Sequence, residues 1–116
     1  MDNPIVLGAI LGAVAGVAVT LVRKGKAISS EDARRLVQEG ATLVDVRSPS
    51  EFSSGHLPGA VNIPVSELTK RSDEIGKTDT PVVLYCRSGA RSSRAKKLLA
   101  AAGFSAVHDL GPMHRW

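Results

Sequence analysis

One cysteine, one tryptophan, one tyrosine and two phenylalanines are all that this 116-residue chain carries of those residue types. A single cysteine excludes an internal disulfide and leaves no second thiol to resolve an oxidised one, which fits a reducing compartment. So few aromatics leave little surface on which nucleic-acid bases could stack. The formal charge of +4 is therefore not read as the mark of a nucleic-acid partner. His56, His108 and His114 are too scattered to hold zinc, and no second cysteine completes such a site. No repeat or low-complexity tract is present, and no cofactor is expected. With 22% charged and 43% hydrophobic residues, the chain has room for one small domain and not for a second core.

Charge is also missing from Ile5 to Val22, which are preceded by Asp2 and followed by Arg23, Lys24 and Lys26. At a rise of about 1.5 Å per residue this run spans roughly 27 Å as a helix, enough to cross a thin hydrocarbon core. A secretory signal would begin with basic residues, and a core helix would show a polar face; this segment has neither. Residues 1–26 are accordingly expected to form a transmembrane helix with a basic flank, and residues 27–116 the folded domain. The lysines and arginine beside the span place the N-terminus outside and the domain in the cytoplasm. Gly8, Gly12 and Gly16 would line one helix face, where a second copy could pack to give a homo-oligomer. Glycine is also simply common in such helices, so both readings stand.

Beyond Lys26, twelve basic and ten acidic residues remain. Their distribution is uneven: Arg87, Arg91, Arg94, Lys96 and Lys97 fall within eleven positions that hold no acid, the sign expected around an anion-binding pocket. Ser29-Ser30-Glu31-Asp32 opens a helix in which Ala33, Leu36 and Val37 share a face, and Gly40 stops it. Thr42 to Val46 reads as a buried strand, Ser50 to Ser54 as a short helix and Ala60 to Ile63 as an extended segment. A helical stretch is expected over Ser66 to Arg71. Pro81 to Tyr85 is a compact apolar strand, Ala95, Leu98, Leu99 and Ala102 mark a helix face, and Ala106 to Leu110 supply the last strand. This alternation predicts an α/β domain with a mainly parallel sheet flanked by helices on both faces, and ligands beyond the strands' carboxyl ends.

Cys86 stands at such an end, in Tyr85-Cys86-Arg87-Ser88-Gly89-Ala90-Arg91-Ser92. A strand that passes through a glycine loop into a helix aims backbone N–H groups and the positive end of a helix dipole at the sulfur. Such surroundings favour the thiolate, and Arg87 and Arg91 add positive charge for an anionic substrate. A buried structural cysteine is the commoner fate of a free thiol; the flanking arginines argue against it here.

Taken in order and spacing, three segments resemble the single-domain rhodaneses, a sulfurtransferase family. They are Leu43-Val44-Asp45-Val46-Arg47, Glu51-Phe52 with Gly55 through Pro64, and Val83 through Ser92. The resemblance covers roughly residues 27 to 116 and implies a rhodanese-like α/β domain. It makes Cys86 the persulfide-forming nucleophile and gives the sulfur-cradling, substrate-binding loop to Arg87, Ser88, Gly89, Ala90, Arg91 and Ser92. Asp45, Arg47, Glu51 and His56 become structural positions, with Arg47 expected to pair with an acid such as Glu51. Pro112 departs from the family, which commonly has glycine there and continues into a final helix; Trp116 is expected as a hydrophobic plug instead.

The implied activity is transfer of sulfane sulfur from thiosulfate or a related donor to cyanide, a thiol or a protein acceptor, in two covalent steps with ping-pong kinetics. Ser88 and Ser92 are candidate hydrogen-bond donors to the persulfide, and Ser92 is equally a candidate helix cap. Two rivals remain. A cysteine-dependent phosphatase or arsenate reductase resembles Cys-x5-Arg, whereas Cys86 to Arg91 is Cys-x4-Arg, a smaller ring better suited to sulfur than to a tetrahedral phosphate. A membrane-tethered persulfide carrier or binding module would use the same loop without turnover of its own.

Overall fold

The computed structural model describes residues 27–116. The expected span from Ile5 to Val22 and its glycine face lie outside the described residues; among the described residues no helix is long and apolar enough to cross a membrane.

Helix α1 (Ser30–Gln38) begins at Ser29, whose side chain accepts the Asp32 N–H at 3.0 Å, and Glu31 and Asp32 sit in its first turn, where the helix dipole favours negative charge. Four strands follow: β1 (Thr42–Asp45), β2 (Val61–Asn62), β3 (Val82–Cys86) and β4 (Val107–Pro112). They form one parallel sheet in the order β2-β1-β3-β4. Helix α2 (Pro49–Ser53) follows β1, and α3 (Ala90–Ala101) links β3 to β4.

Strand β3 is buried along its whole length, as the apolar run Val82-Val83-Leu84-Tyr85-Cys86 requires of a central parallel strand. Its two-residue period divides the core. Val82, Leu84 and Cys86 face α3 with Val44, Val46, Ile63, Ala95 and Leu99. Val83 and Tyr85 face the opposite layer with Ala33, Leu43, Leu57 and Leu110, where Leu36, Val37 and Trp116 also pack. The period thus delivers the Cys86 sulfur to the α3 side of the sheet. Trp116 takes its place in the α1 layer, where Ser30 Oγ donates to its carbonyl at 2.8 Å and Arg34 lies over its ring, 4.9 Å from the centroid.

Two elements differ from expectation. Ser66 to Arg71 is not one helix; 3-10 turns occupy Val65–Glu67 and Ser72–Glu74. Leu68 alone of that stretch is fully buried, so there is no apolar stripe to hold several helical turns against the core. Strand β4 runs on past Leu110 to Pro112, because the register slips between Leu84 and Tyr85: Leu84 pairs with Asp109, but Tyr85 pairs with Gly111 and Cys86 with Pro112. This irregularity carries the chain to the level of Cys86 before the 3-10 turn Met113–Arg115. A proline is tolerated there because β4 is an edge strand.

Asp109 of β4 is 9% exposed, and its Oδ1 has no hydrogen-bond partner. Burial pushes its carboxyl above the ordinary value, against smaller opposing effects of the Ser92 hydroxyl, the Gly111 N–H, Lys96 and Arg115. A group whose folded pKa is raised favours the fold when protonated and loses that contribution as pH rises through the folded value. Asp109→Asn, which cannot ionise, is therefore expected to be more stable than the parent at pH 7 by about 1 kcal/mol. The difference should shrink as pH falls toward 3.8. Denaturant melts at pH 7 and pH 3.5 measure it; an equal difference at both would mean that the buried carboxylate carries no ionisation penalty.

Candidate active site

The chain leaves β3 at Cys86 and enters α3 through Gly89, whose φ of 104° lies in the left-handed region that residues with a Cβ rarely adopt. Pro112 closes against the same glycine: a Cβ built there would lie 3.4 Å from the proline Cδ. The resulting turn points backbone donors inward. Gly89 N–H donates to Cys86 Sγ at 3.0 Å and Ser92 N–H at 3.4 Å, both at the N-terminal end of α3. The thiol lies 3.6 Å from Ser92 Oγ, and that hydroxyl donates to the Gly89 carbonyl at 3.2 Å. Ser92 is therefore a buried brace inside the first turn and not the helix cap; Gly89 occupies the capping position, without a side chain.

Arg87, Ser88 and Ala90 are exposed on the outer side of this turn, and Cys86 beneath them has no exposed surface. Ser88 makes no hydrogen bond to the sulfur. Arg91 is half-buried and bonds Glu51 through both guanidinium nitrogens, at 2.8 and 3.1 Å. That pairing corrects the expected partner of Glu51. Arg47 turns instead to Asp45, with Nη2 to Oδ2 at 2.6 Å and Nε to both carboxylate oxygens at 3.0 Å. Two residues of separation at the end of β1 let this planar pair form locally and fully buried, where the fork of the guanidinium satisfies both oxygens. Arg47 also donates to the Gly55 carbonyl at 2.7 Å and lies over the Tyr85 ring.

Glu51 is thereby free for a longer reach. It closes a capping box with Ser48, accepting the Ser48 N–H at 3.0 Å while Ser48 Oγ accepts the Glu51 N–H at 3.2 Å. The Arg91 guanidinium beside it, helped by the Ser48 N–H, holds its carboxyl down at about 2. The arginine expected to lend its charge to the sulfur is thus already opposed by a carboxylate. Arg87 keeps an unpaired charge among the described residues. It opens onto a cleft of about 500 Å³ that is also lined by Arg47, Glu51, Ser54, Met113 and His114.

Met113 and His114 carry no local signal in the sequence. They arrive because β4 runs on to Pro112 and because Arg115 Nη1 donates back to the Leu110 carbonyl at 2.9 Å, folding the tail beside the loop. The Glu51 role was readable in part, since Ser48-x-x-Glu51 before a short helical pattern is a capping-box spacing. His56 is exposed: Nδ1 bonds the Phe52 carbonyl at 3.0 Å and the ring stacks on Phe52, outside the cleft lining. Among the described residues no group of side chains could hold a metal ion.

A parallel sheet whose central strand ends in a thiol cradled by helix-terminal N–H groups defines a class of protein, and comparison gives that class its family. Residues 29–116 match the rhodanese-like domain, and the chain belongs to that family. It is similar to the protein YqhL of Bacillus subtilis, 43% identical over 88 residues, covering 75% of this chain and 69% of YqhL. Its likeness to the thiosulfate sulfurtransferase GlpE of Pseudomonas syringae is 35% over 95 residues, covering 78% and 86% of the two chains. The solved human single-domain sulfurtransferase TSTD1 superposes with a TM-score of 0.67 at 31% identity, over 78% of this chain and 90% of that one. Relatives of this kind support sulfur transfer as the general activity.

Glu51 joins α2 to the turn over Cys86, so its removal should affect the loop more than the fold. A pair with side chains 28% and 37% exposed contributes on the order of 0.2–1 kcal/mol to stability. Glu51→Gln is expected to shift the denaturation midpoint by no more than that, yet to change the rate at which Cys86 reacts with iodoacetamide severalfold. Since Glu51 is held near 2, the ion pair is complete above about pH 4.5 and is lost only as pH falls through 2. The parent-to-variant difference in denaturation midpoint should then stay flat from pH 5 to 8, and a difference that drifted across that interval would point to another titrating group.

Proposed function

We propose that this protein moves sulfane sulfur from thiosulfate or a related donor to a nucleophilic acceptor through a persulfide on Cys86. The observation that carries the reading is the pair of backbone donors on Sγ, from Gly89 and Ser92, at the positive end of α3. Each charge-assisted hydrogen bond is worth about 1.5–3 kcal/mol, and neither donor is neutralised by a partner as Arg91 is by Glu51.

Local opening of residues 87–91 admits the donor, since the closed loop leaves Cys86 without exposed surface. Arg87 on the cleft wall draws in the dianion. The Cys86 thiolate attacks the outer sulfur of thiosulfate; the sulfur–sulfur bond of the donor breaks, sulfite departs with the electron pair, and Cys86 keeps the outer sulfur as a persulfide. An acceptor nucleophile, either cyanide, a thiol or a protein, then attacks that outer sulfur and releases the Cys86 thiolate. The same two amides meet the charge of the persulfide as they met that of the thiolate, as in an oxyanion hole.

Six residues from Cys86 through Arg91 make a tighter ring than the seven of a Cys-x5-Arg phosphatase, which favours sulfur over phosphate. The apolar run from Ile5 to Val22 with its following basic residues supports tethering to a bilayer, with the domain on the cytoplasmic side.

Mass spectrometry after incubation with thiosulfate should show the mass of one added sulfur atom on Cys86, and Cys86→Ser should take up none. Persulfide in the Cys86→Ser protein would overturn the mechanism, since no other thiol exists to carry it. Arg87→Ala is expected to raise KM for thiosulfate about tenfold, the equivalent of roughly 1.4 kcal/mol, while kcat changes less. Efficient aryl-phosphate hydrolysis that depends on Cys86 would favour the phosphatase class.

A further inference from the structure

Helix α3 continues directly from the sulfur loop, and its outer face is basic. Arg94 and Lys97 are exposed, and among the described residues neither they nor Lys96 takes part in an ion pair. No acidic residue occupies the first turn of α3, where the dipole would favour one; Arg91 and Arg94 stand toward that end instead. Positive charge is thus gathered where it does least for the helix. At 1.5 Å per residue, Arg94 and Lys97 lie about 6 and 10 Å along the axis from Ala90. A donor the size of thiosulfate seated against Cys86 does not span that distance, whereas a macromolecule reaching into the loop does.

The exposed positions around these charges are Ala90, Ser93, Ala100 and Ala101, which let another protein surface approach closely. They offer nothing for a lipid surface. Interfacial helices insert large apolar side chains, and the exposed large hydrophobic among the described residues is Val61, on β2 at the opposite edge of the sheet from β4.

We propose that Arg94 and Lys97, together with the exposed Arg87 at the loop, form a docking surface for an acidic protein that presents the sulfur-accepting thiol. This deepens the sulfur-transfer reading and rests on it. Opposite charge across such a face speeds encounter and sets orientation, and the acceptor sulfur is brought to the loop where Cys86 lies.

The test uses the full chain and two cysteine peptides of equal length, one flanked by four glutamates and one by four lysines. The Cys86 persulfide should pass sulfur to the glutamate peptide with a kcat/KM at least tenfold higher at 50 mM salt, and the preference should collapse at 0.5 M. Arg94→Glu/Lys97→Glu should abolish or invert the preference, and the milder Arg94→Ala/Lys97→Ala should reduce it. Thiosulfate-to-cyanide turnover at 0.15 M salt should stay within about threefold in both, with circular dichroism confirming the fold. Equal rates for the two peptides, or a preference that survives charge reversal, would overturn the proposal. So would binding to phosphatidylglycerol vesicles that needs Arg94 and Lys97 while the peptide preference does not, since the face would then be a lipid surface. Fluorescence anisotropy of the labelled glutamate peptide scores docking separately: a protein that binds it through these residues yet transfers no sulfur would retain the surface and lose the sulfurtransferase reading.

Discussion

Everything at the site depends on the backbone turn at Gly89. Its left-handed φ lets the chain reverse from a buried strand into α3 within three residues of Cys86, and that reversal converts two orphan N–H groups of a helix start into donors to sulfur. Pro112 packs against this glycine at ordinary contact distance, so the constraint on position 89 is the positive φ and not a lack of space. The sheet supports the turn from below. Only a strand buried on both faces could deliver a thiol to this point with no surface exposed, and the strand period puts that thiol on the α3 side.

Around this centre the charges are sorted by partner. Asp45 and Arg47 neutralise each other in the interior, where a lone ion would be costly, and their fork also holds the Gly55 carbonyl and the Tyr85 face. Glu51 and Arg91 do the same at half depth, tying α2 to the sulfur loop. Among the described residues Arg87 has no ion-pair partner over the cleft, and Arg94 and Lys97 have none along α3. Unpaired positive charge therefore runs from the mouth of the site along its helix. The anionic donor meets Arg87 at the mouth, and an acidic acceptor would be steered along α3.

Local signals in the sequence suffice where one residue's neighbours decide its conformation. The helix start at Ser29 to Asp32, a short helix expected over Ser50 to Ser54 and found at Pro49–Ser53, the apolar β3 and the Ala95/Leu99 face of α3 all follow from spacing alone. Spacing does not decide the outcome where a short segment has too little apolar surface to choose its own form, as between Ser66 and Arg71, or where a strand's end is set by its neighbour, as at Pro112. Charged partners are likewise not fixed by spacing. Several acids lie within chain reach of Arg47, and periodicity does not distinguish Asp45 from Glu51.

By itself the sequence determined an α/β alternation, a lone thiol at the end of a buried strand, a six-residue loop from Cys86 to Arg91, and a cluster of basic residues without acids. These are properties of order and spacing, and local chain geometry expresses them directly. Only the tertiary structure decided that Arg91 is occupied by Glu51, that Ser92 braces the sulfur from inside the helix, and that Met113 and His114 form a wall of the cleft. Each of these joins residues that are distant in the chain or placed by a register slip between strands. The energy that selects such contacts is released only when the sheet and its two helical layers pack.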